Sequence, residues 1–484
     1  MKKIILFAIL ALSIASCQKF LDEVPKDQLT ENNFYVSRED AVSALNAIYS
    51  PARDNLNDNY SIMIDILSDY WEGRGSTMPM SAYQGLDATN IIRVSNSWGY
   101  QYRSIRNANI AIQRITAMTK LEEADKNALI AEARFLRAFD YFNIVRLWGA
   151  VPLYLETDVK DKSRKPVDEV YAAIIKDLEA GESALPSVPT QTGRPSKWAA
   201  KALLSEVYLT RGEWALAKQK AKDVIDSGIF GLVDITVADD FNKVFGPTAN
   251  GTSEEIFYLK FNHVDGYGYP HKLLWSSDQY SPFGSYVTFG LPTNLFLKNW
   301  DRNDLRKKFD IFSQYINRYT GVTETLPSST PILCCKYRDP AATGVNGFGN
   351  DRPVIRYADV LLIYAEASVM ADNGVSPLAL EALNKIKRRG YGYPNSSVSL
   401  VDYPSAGWTV DSFRNTVIQE RGYELFMEGK RWFDLSRLGT AKLKEIILTN
   451  KGKTVKDLHL LWPIPIQEIN TNPDITQQDQ NPGY

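Results

Sequence analysis

Between residues 122 and 147 the apolar side chains fall on two helical stripes: Leu129, Ala133, Leu136 and Phe139 along one, Ala131, Phe135, Ala138 and Phe142 along the other. A helix apolar on two faces needs neighbours on both, so this pattern predicts a helix sandwiched in a stack, its alanines admitting close approach. Thr119 and Glu122 stand at capping-box spacing ahead of it, and Gly149 with Pro152 beyond supplies the stop. Further stripes predict helices over about 39–52, 101–116 and 168–184, the first opened by Ser37 as N-cap with Asp40 as the acidic partner of its first turn. Trp98, at the start of the second, reads as core.

The stripes also repeat. In residues 202–225, Leu204, Tyr208, Gly212, Trp214 and Ala217 are spaced as in a tetratricopeptide repeat, where a small residue lets paired helices touch. Ala367, Gly374 and Ala379 repeat the spacing of Ser205, Gly212 and Ala217. The expected fold is therefore mainly α, with about four tetratricopeptide-like helix pairs forming a curved scaffold. Residues 229–355 have another texture, rich in Gly, Pro, Ser, Asn and aromatics. That length exceeds any ordinary loop, so it predicts a loop-rich second lobe with short strands such as EEIFYLKF. The chain divides into 1–16, 17–36, 37–228, 229–355 and 356–484, the second piece an extended arm.

The first piece is a secretory signal: Lys2 and Lys3, an apolar run from Ile4 to Leu12, then small residues ending at Cys17. Small residues directly before a cysteine resemble a bacterial lipobox, which places a diacylglyceryl group on Cys17 and makes it the first mature residue. Several acyl chains give firm anchoring where one would be marginal. Downstream, no run of 18 apolar residues goes uninterrupted by charge; VIRYADVLLIYAEASVM carries Arg356, Asp359 and Glu366. Cys334 and Cys335 are adjacent, so a bridge between them would be strained and free thiols are expected.

Charge removes one class of partner. With 55 Lys and Arg against 57 Asp and Glu, the 484-residue chain has no basic field for nucleic acid. His263, His271 and His459 never approach a metal-ligand spacing, and GxSxG, Walker and dinucleotide-binding signatures are missing, so no cofactor or metal is expected. Paired carboxylates for glycoside hydrolysis depend on the fold and stay open.

The aromatic surplus, 26 Tyr and 10 Trp, gathers in loops. YGYPHKLLWSSDQYSPFGSY, residues 267–286, sets Trp275, Tyr280, Phe283 and Tyr286 among small polar residues, with Asp278 beside them. A second group, Asp69, Tyr70, Trp71 and Tyr83, follows the first helical segment. Flat rings cover the C–H faces of a sugar while carboxylates and amides take its hydroxyls, and Tyr and Trp do so at low entropic cost. The same rings could instead pin long loops to the scaffold; their clustering favours a binding surface.

Taken together, several blocks resemble the SusD/RagB family of Bacteroidetes outer-membrane lipoproteins. They are Cys17 followed by FLDEVPKDQLTENNFY, AEARFLRAFDYFNIVRLWGAVPL (131–153), RPVIRYADVLLIYAEA (352–367), IQERGYELFMEGKRWFDLSRLG (418–439) and LWPIPIQEINTNPDITQQDQNPGY (461–484). The resemblance spans essentially the whole chain. It implies four tetratricopeptide-like pairs with a loop-rich lobe, and a protein that lies over a SusC-like TonB-dependent transporter, capturing oligosaccharides, or in some members peptides, for import. Ligand contacts in such proteins lie in variable loops, here those at 69–86 and 270–290. The expected ligand residues are accordingly Asp69, Trp71, Tyr83, Trp275, Asp278, Tyr280, Phe283 and Tyr286. A surface hydrolase and a protein- or peptide-binding scaffold remain the alternatives.

ERGYELFMEGKRWFDLSR, residues 420–437, has the densest chemistry. Glu420, Glu424 and Glu428 recur at i, i+4, where like charges repel unless answered, and Arg421, Arg431 and Arg437 stand ready. A general acid needs isolation in apolar surroundings, so this stretch reads as a charge-laced frame.

Overall fold

In the computed structural model the described residues are 35–57, 60–264, 266–268, 275, 277–280 and 282–484. The expected signal segment, Cys17 and the expected arm as far as residue 34 lie outside the described residues. Helix α1 (Arg38–Asn57) opens as its sequence indicates: Asp40 accepts from the Ser37 N–H at 2.7 Å, and Ser37 Oγ accepts from the Asp40 N–H at 3.2 Å. α2 (Tyr60–Leu67), α3 (Ala88–Ala117) and α4 (Glu123–Trp148) follow. α3 starts well before residue 101 because Asp87 caps it, accepting from the Asn90 N–H at 2.9 Å. This start puts Trp98 inside the helix, buried against Trp148. Thr119 and Glu122 form no capping box; Glu122 is itself the N-cap and makes no side-chain cap bond. Gly149 stops α4 at φ 71°, a conformation that suits glycine. Both apolar stripes of α4 are buried, and α3 and α5 (Val167–Ala184) pack against it.

The stack continues through α6 (Lys197–Arg211) and α7 (Trp214–Asp226), then α8 (Tyr357–Asp372) and α9 (Pro377–Gly390), each helix touching the next. The two repeat copies are thus real helical hairpins. Gly212 turns the first at φ 75°, whereas in the second the left-handed residue is Asn373, one place before Gly374. α10 (Val410–Glu424), α11 (Arg431–Ser436), α12 (Thr440–Lys451) and α13 (Ile466–Thr471) complete the helices used below. Between α7 and α8 the chain is mostly loop. Its longest described pairing joins β2 (Glu255–Leu259) antiparallel to β6 (Arg352–Arg356), so EEIFYLKF does contain a strand.

The charged stretch becomes the hub of the fold, with different partners from those its spacing suggests. α10 ends at Glu424, so Glu428 lies past the helix and its partners come from distant segments. Arg356 donates to Glu254 and Glu424 at 2.6 Å each and to Glu428 at 2.9 Å. Arg306 and Arg389 also bind Glu424, and Lys336 reaches Glu428 at 2.7 Å. Arg431 turns away from its helical neighbours to Asp69, while Arg421 and Arg437 share Asp434. All these groups are buried save Arg437, which is half-buried. Charges drawn from water so completely stay charged only when paired, so the network fixes the mutual position of β6, α9, α10 and α11.

The network also sets the acid response. Burial pushes the Glu424 carboxyl up, but Arg389, Arg356 and Arg306 outweigh it and hold it at about 2. For Glu428, Arg356 and Lys336 likewise overcome burial and hold it at about 2. Asp65 and Asp310 go the other way: burial raises each to about 7. A carboxyl with a raised folded pKa keeps a proton that the unfolded chain releases, so its folded form gains as pH falls from 7 towards 4. One with a depressed pKa stabilises the fold above its unfolded value, and that stabilisation is lost as pH falls from 4.5 towards 2. The urea midpoint should therefore rise from pH 7.5 to about 5 and fall below about 4. A midpoint that declines steadily from pH 7.5 downward would contradict this assignment.

Candidate functional site

The two aromatic loops have different fates. In the first, Asp69 is fully buried and forms a two-pronged pair with Arg431, Oδ1 to Nε at 2.8 Å and Oδ2 to Nη2 at 2.9 Å. Asn450 adds a third bond at 2.8 Å. Trp71 is also fully buried; its Nε1 donates to Thr288 Oγ1 at 2.9 Å and its ring meets the edge of Phe426. Gly290 is shaped to it, since a Cβ there would lie 2.5 Å from Trp71 Cζ3. Tyr83 donates its hydroxyl to the Leu67 carbonyl, and its buried ring packs on His459. Contrary to the sequence expectation, these three side chains belong to the interior and present no face to a ligand. The reason is long-range: Arg431 needs a counter-charge, and Asp69 supplies it from 362 residues away.

Of the second loop, the described aromatic residues stay nearer the surface. Strand β3 (Thr288–Phe289) pairs antiparallel with β1 (Glu72–Gly73), so the buried first loop is the platform on which the second rests. Trp275 and Tyr286 are half-buried, their rings 5.2 Å apart, and Tyr315 lies 6.2 Å from Trp275. These rings group around Tyr315, Leu326 and Leu333, apart from the main apolar core. The Arg74 guanidinium sits 4.5 Å from the Tyr286 ring centre, and Phe283 is 41% exposed.

Beside this group, Asp278, Tyr280, Lys308, Gln314, Tyr315 and Arg338 line a cleft of ≈ 280 Å³. Asp278 is buried, which pushes its carboxyl up; its Oδ1 accepts from the Tyr280 N–H at 2.7 Å. Arg338 stands 4.9 Å from the Tyr280 ring centre and pairs with Asp239. Lys308 is exposed and has no ion-pair partner among the described residues. The structure thus brings Trp275, Asp278, Tyr280 and Tyr286 to one region, with Phe283 exposed on the same loop. Among the lining residues that sequence reasoning missed are Lys308, Gln314, Tyr315 and Arg338.

Gln314 and Tyr315 arrive on the hairpin of β4 (Gln314–Ile316) and β5 (Thr323–Thr325). The local signal was present, a short alternating run turning at Gly321, but nothing in the sequence says what the hairpin covers. Asp278 and Asn317 form a β-bridge, which seats it on the loop.

Cys334 and Cys335 are free, buried thiols. Among the described residues, no group of three or more His, Cys, Asp and Glu side chains is arranged to hold a metal ion. No helix among them is long and apolar enough to cross a membrane.

Two family profiles match the chain. That described as the SusD family covers residues 314–484, and that described as starch-binding associating with outer membrane covers residues 19–209. SusD-like protein P2 of Formosa agariphila is 29% identical, the alignment taking in 99% of each chain. A SusD homolog from Bacteroides thetaiotaomicron VPI-5482 superposes with a TM-score of 0.77 at 24% identity, over 94% of this chain and 98% of the other. A laminarin-binding SusD-like protein gives 0.73 at 24% identity, over 93% and 100%.

Proposed function

This chain belongs to the SusD family, and from that premise we propose that it is a non-catalytic surface lipoprotein that captures oligosaccharides. It would deliver them to a SusC-like TonB-dependent transporter in the outer membrane, held there by acyl chains on Cys17. The ligand site is the patch of Trp275, Tyr280, Phe283 and Tyr286 with the adjoining cleft.

One observation carries this reading: Trp275 and Tyr286 pack at a tilt outside the main core, half-exposed, beside a cleft lined with amide, carboxyl and ammonium groups. A sugar needs that combination, ring faces for its C–H surface and polar groups for its hydroxyls. Asp278 is the sole carboxylate lining the cleft among the described residues. Glycoside hydrolysis uses two, so this geometry favours binding without turnover. The description of the matched N-terminal profile and the laminarin-binding neighbour point to the same ligand class.

Calorimetric titration with a panel of oligosaccharides tests the proposal. Trp275→Ala should weaken binding of the captured glycan by about 1–3 kcal/mol, by analogy with losses measured for aromatic stacking on nucleobases. Chromatography of the same mixtures should find no shortened product. Equal affinity for wild type and variant would move the site elsewhere, and product formation would replace capture by catalysis.

A further inference from the structure

A second cleft, of ≈ 640 Å³, opens between α3, the segment 154–162 and α13. Its lining includes the half-buried rings of Tyr102 and Tyr154, 5.6 Å apart at 62°. Arg106, Arg114 and Lys162 face it as cations, against Glu156 and Glu468. Arg106 and Lys162 are exposed and have no ion-pair partner among the described residues. Glu468 is partly committed, its Oε1 accepting from Asn472 at 2.8 Å.

The walls are built, not loose. Buried Arg137 pairs twice with Asp177 at 2.8 Å and also donates to Asn109 Oδ1 at 2.7 Å and the Leu155 carbonyl at 2.8 Å. Asn109 passes the bracing on, donating to the Tyr154 carbonyl at 2.9 Å, while Tyr141 Oη accepts from the Tyr154 N–H at 2.6 Å. At the far end Asn472 donates to the Lys162 carbonyl at 2.9 Å, and Asp474 accepts from the Lys162 N–H at 2.8 Å. Buried polar groups spent on holding a surface segment open make a preformed site, and the volume lies within the range of small-ligand pockets, roughly 300–1,000 Å³.

We propose that this cleft is a second binding site, distinct from the Trp275 patch, and that its ligand is an acidic saccharide bearing carboxylates or sulfate esters. The rings and the half-buried aliphatic side chain of Ile110 suit the C–H faces of sugars. The guanidinium of Arg106 and the ammonium of Lys162 suit anionic substituents, with Arg offering a two-pronged fit. A neutral sugar would leave those cations unanswered. An extended peptide is disfavoured because the carbonyls of Pro152, Tyr154, Leu155 and Lys162 are already taken by side chains, leaving little edge to pair with.

The test is calorimetric titration of the mature chain with trigalacturonate, its methyl ester, a sulfated disaccharide and an acidic peptide. The proteins compared are wild type, Arg106→Gln/Lys162→Gln and Trp275→Ala. Both cations are exposed, so the double variant keeps the fold. At least one acidic saccharide should bind wild type and Trp275→Ala equally and bind the double variant about tenfold or more weakly. Where that saccharide is trigalacturonate, its methyl ester should bind wild type as weakly as the acid binds the double variant.

Four results would overturn the proposal: no acidic saccharide bound, affinity unchanged in the double variant, ester and acid bound alike, or only the peptide bound. Loss confined to Trp275→Ala would assign the acid to the other patch and also overturn it. The reading of the Trp275 patch would survive every result but its own insensitivity to Trp275→Ala.

Discussion

Arg356→Met is expected to destabilise the protein by about 3–5 kcal/mol, because it removes one cation from among three buried carboxylates. Arg356 is wholly enclosed and touches Glu254, Glu424 and Glu428 at once. The methionine fills much of the space but leaves charge unanswered among fully buried side chains, and that penalty dominates. Urea denaturation followed by tryptophan fluorescence would show a lower midpoint at unchanged slope. Two further measurements separate charge from packing. Adding Glu424→Gln should restore part of the loss, since one uncompensated carboxylate disappears. Lowering the pH from 7 to 5 should narrow the gap to wild type, since Glu424 and Glu428, which Arg356 helps to hold ionised, can then take up protons. A variant as stable as wild type at pH 7 would mean the network is not the hub of the fold.

Trp71→Ala should also cost about 3–5 kcal/mol, the range for truncating a large buried aromatic, and leave glycan affinity unchanged in the folded protein. The ring is enclosed by Phe426, Thr288 and the bare backbone at Gly290. Its loss opens a cavity that the β1–β3 pairing cannot close without moving. Melting and titration of one preparation would decide the case. A stable variant with lost affinity would return Trp71 to the ligand surface and undo the division of labour between the two loops.

The scaffold was legible because its determinants are local. The double stripe of α4 shows in spacings of three and four residues, and Gly149 and Gly212 mark the stops their backbone angles demand. Start signals were weaker: Thr119 and Glu122 have the right letters without the box, while Asp87 caps α3 a full 14 residues before the stretch whose periodicity announced it.

The candidate site was legible by half, for a physical reason. Whether a Trp or Tyr in a loop faces water depends on what lies above and below it, which is long-range information. Trp71 and Trp275 have similar surroundings in sequence. One is buried through a hydrogen bond spanning 217 residues, and the other remains half-exposed against a hairpin some 40 residues on. The charged stretch teaches the same lesson. Its carboxylates are paired, as their spacing suggested, but by Arg356, Arg306, Arg389 and Lys336 from elsewhere.

A crystal structure of the protein with the oligosaccharide that binds in titration tests the capture site most directly. The expected density is an intact sugar chain with a ring against Trp275 or Tyr286 and hydroxyls within hydrogen-bond distance of Gln314 or Lys308. A sugar seated away from both rings, or a cleaved chain, would contradict capture at this patch.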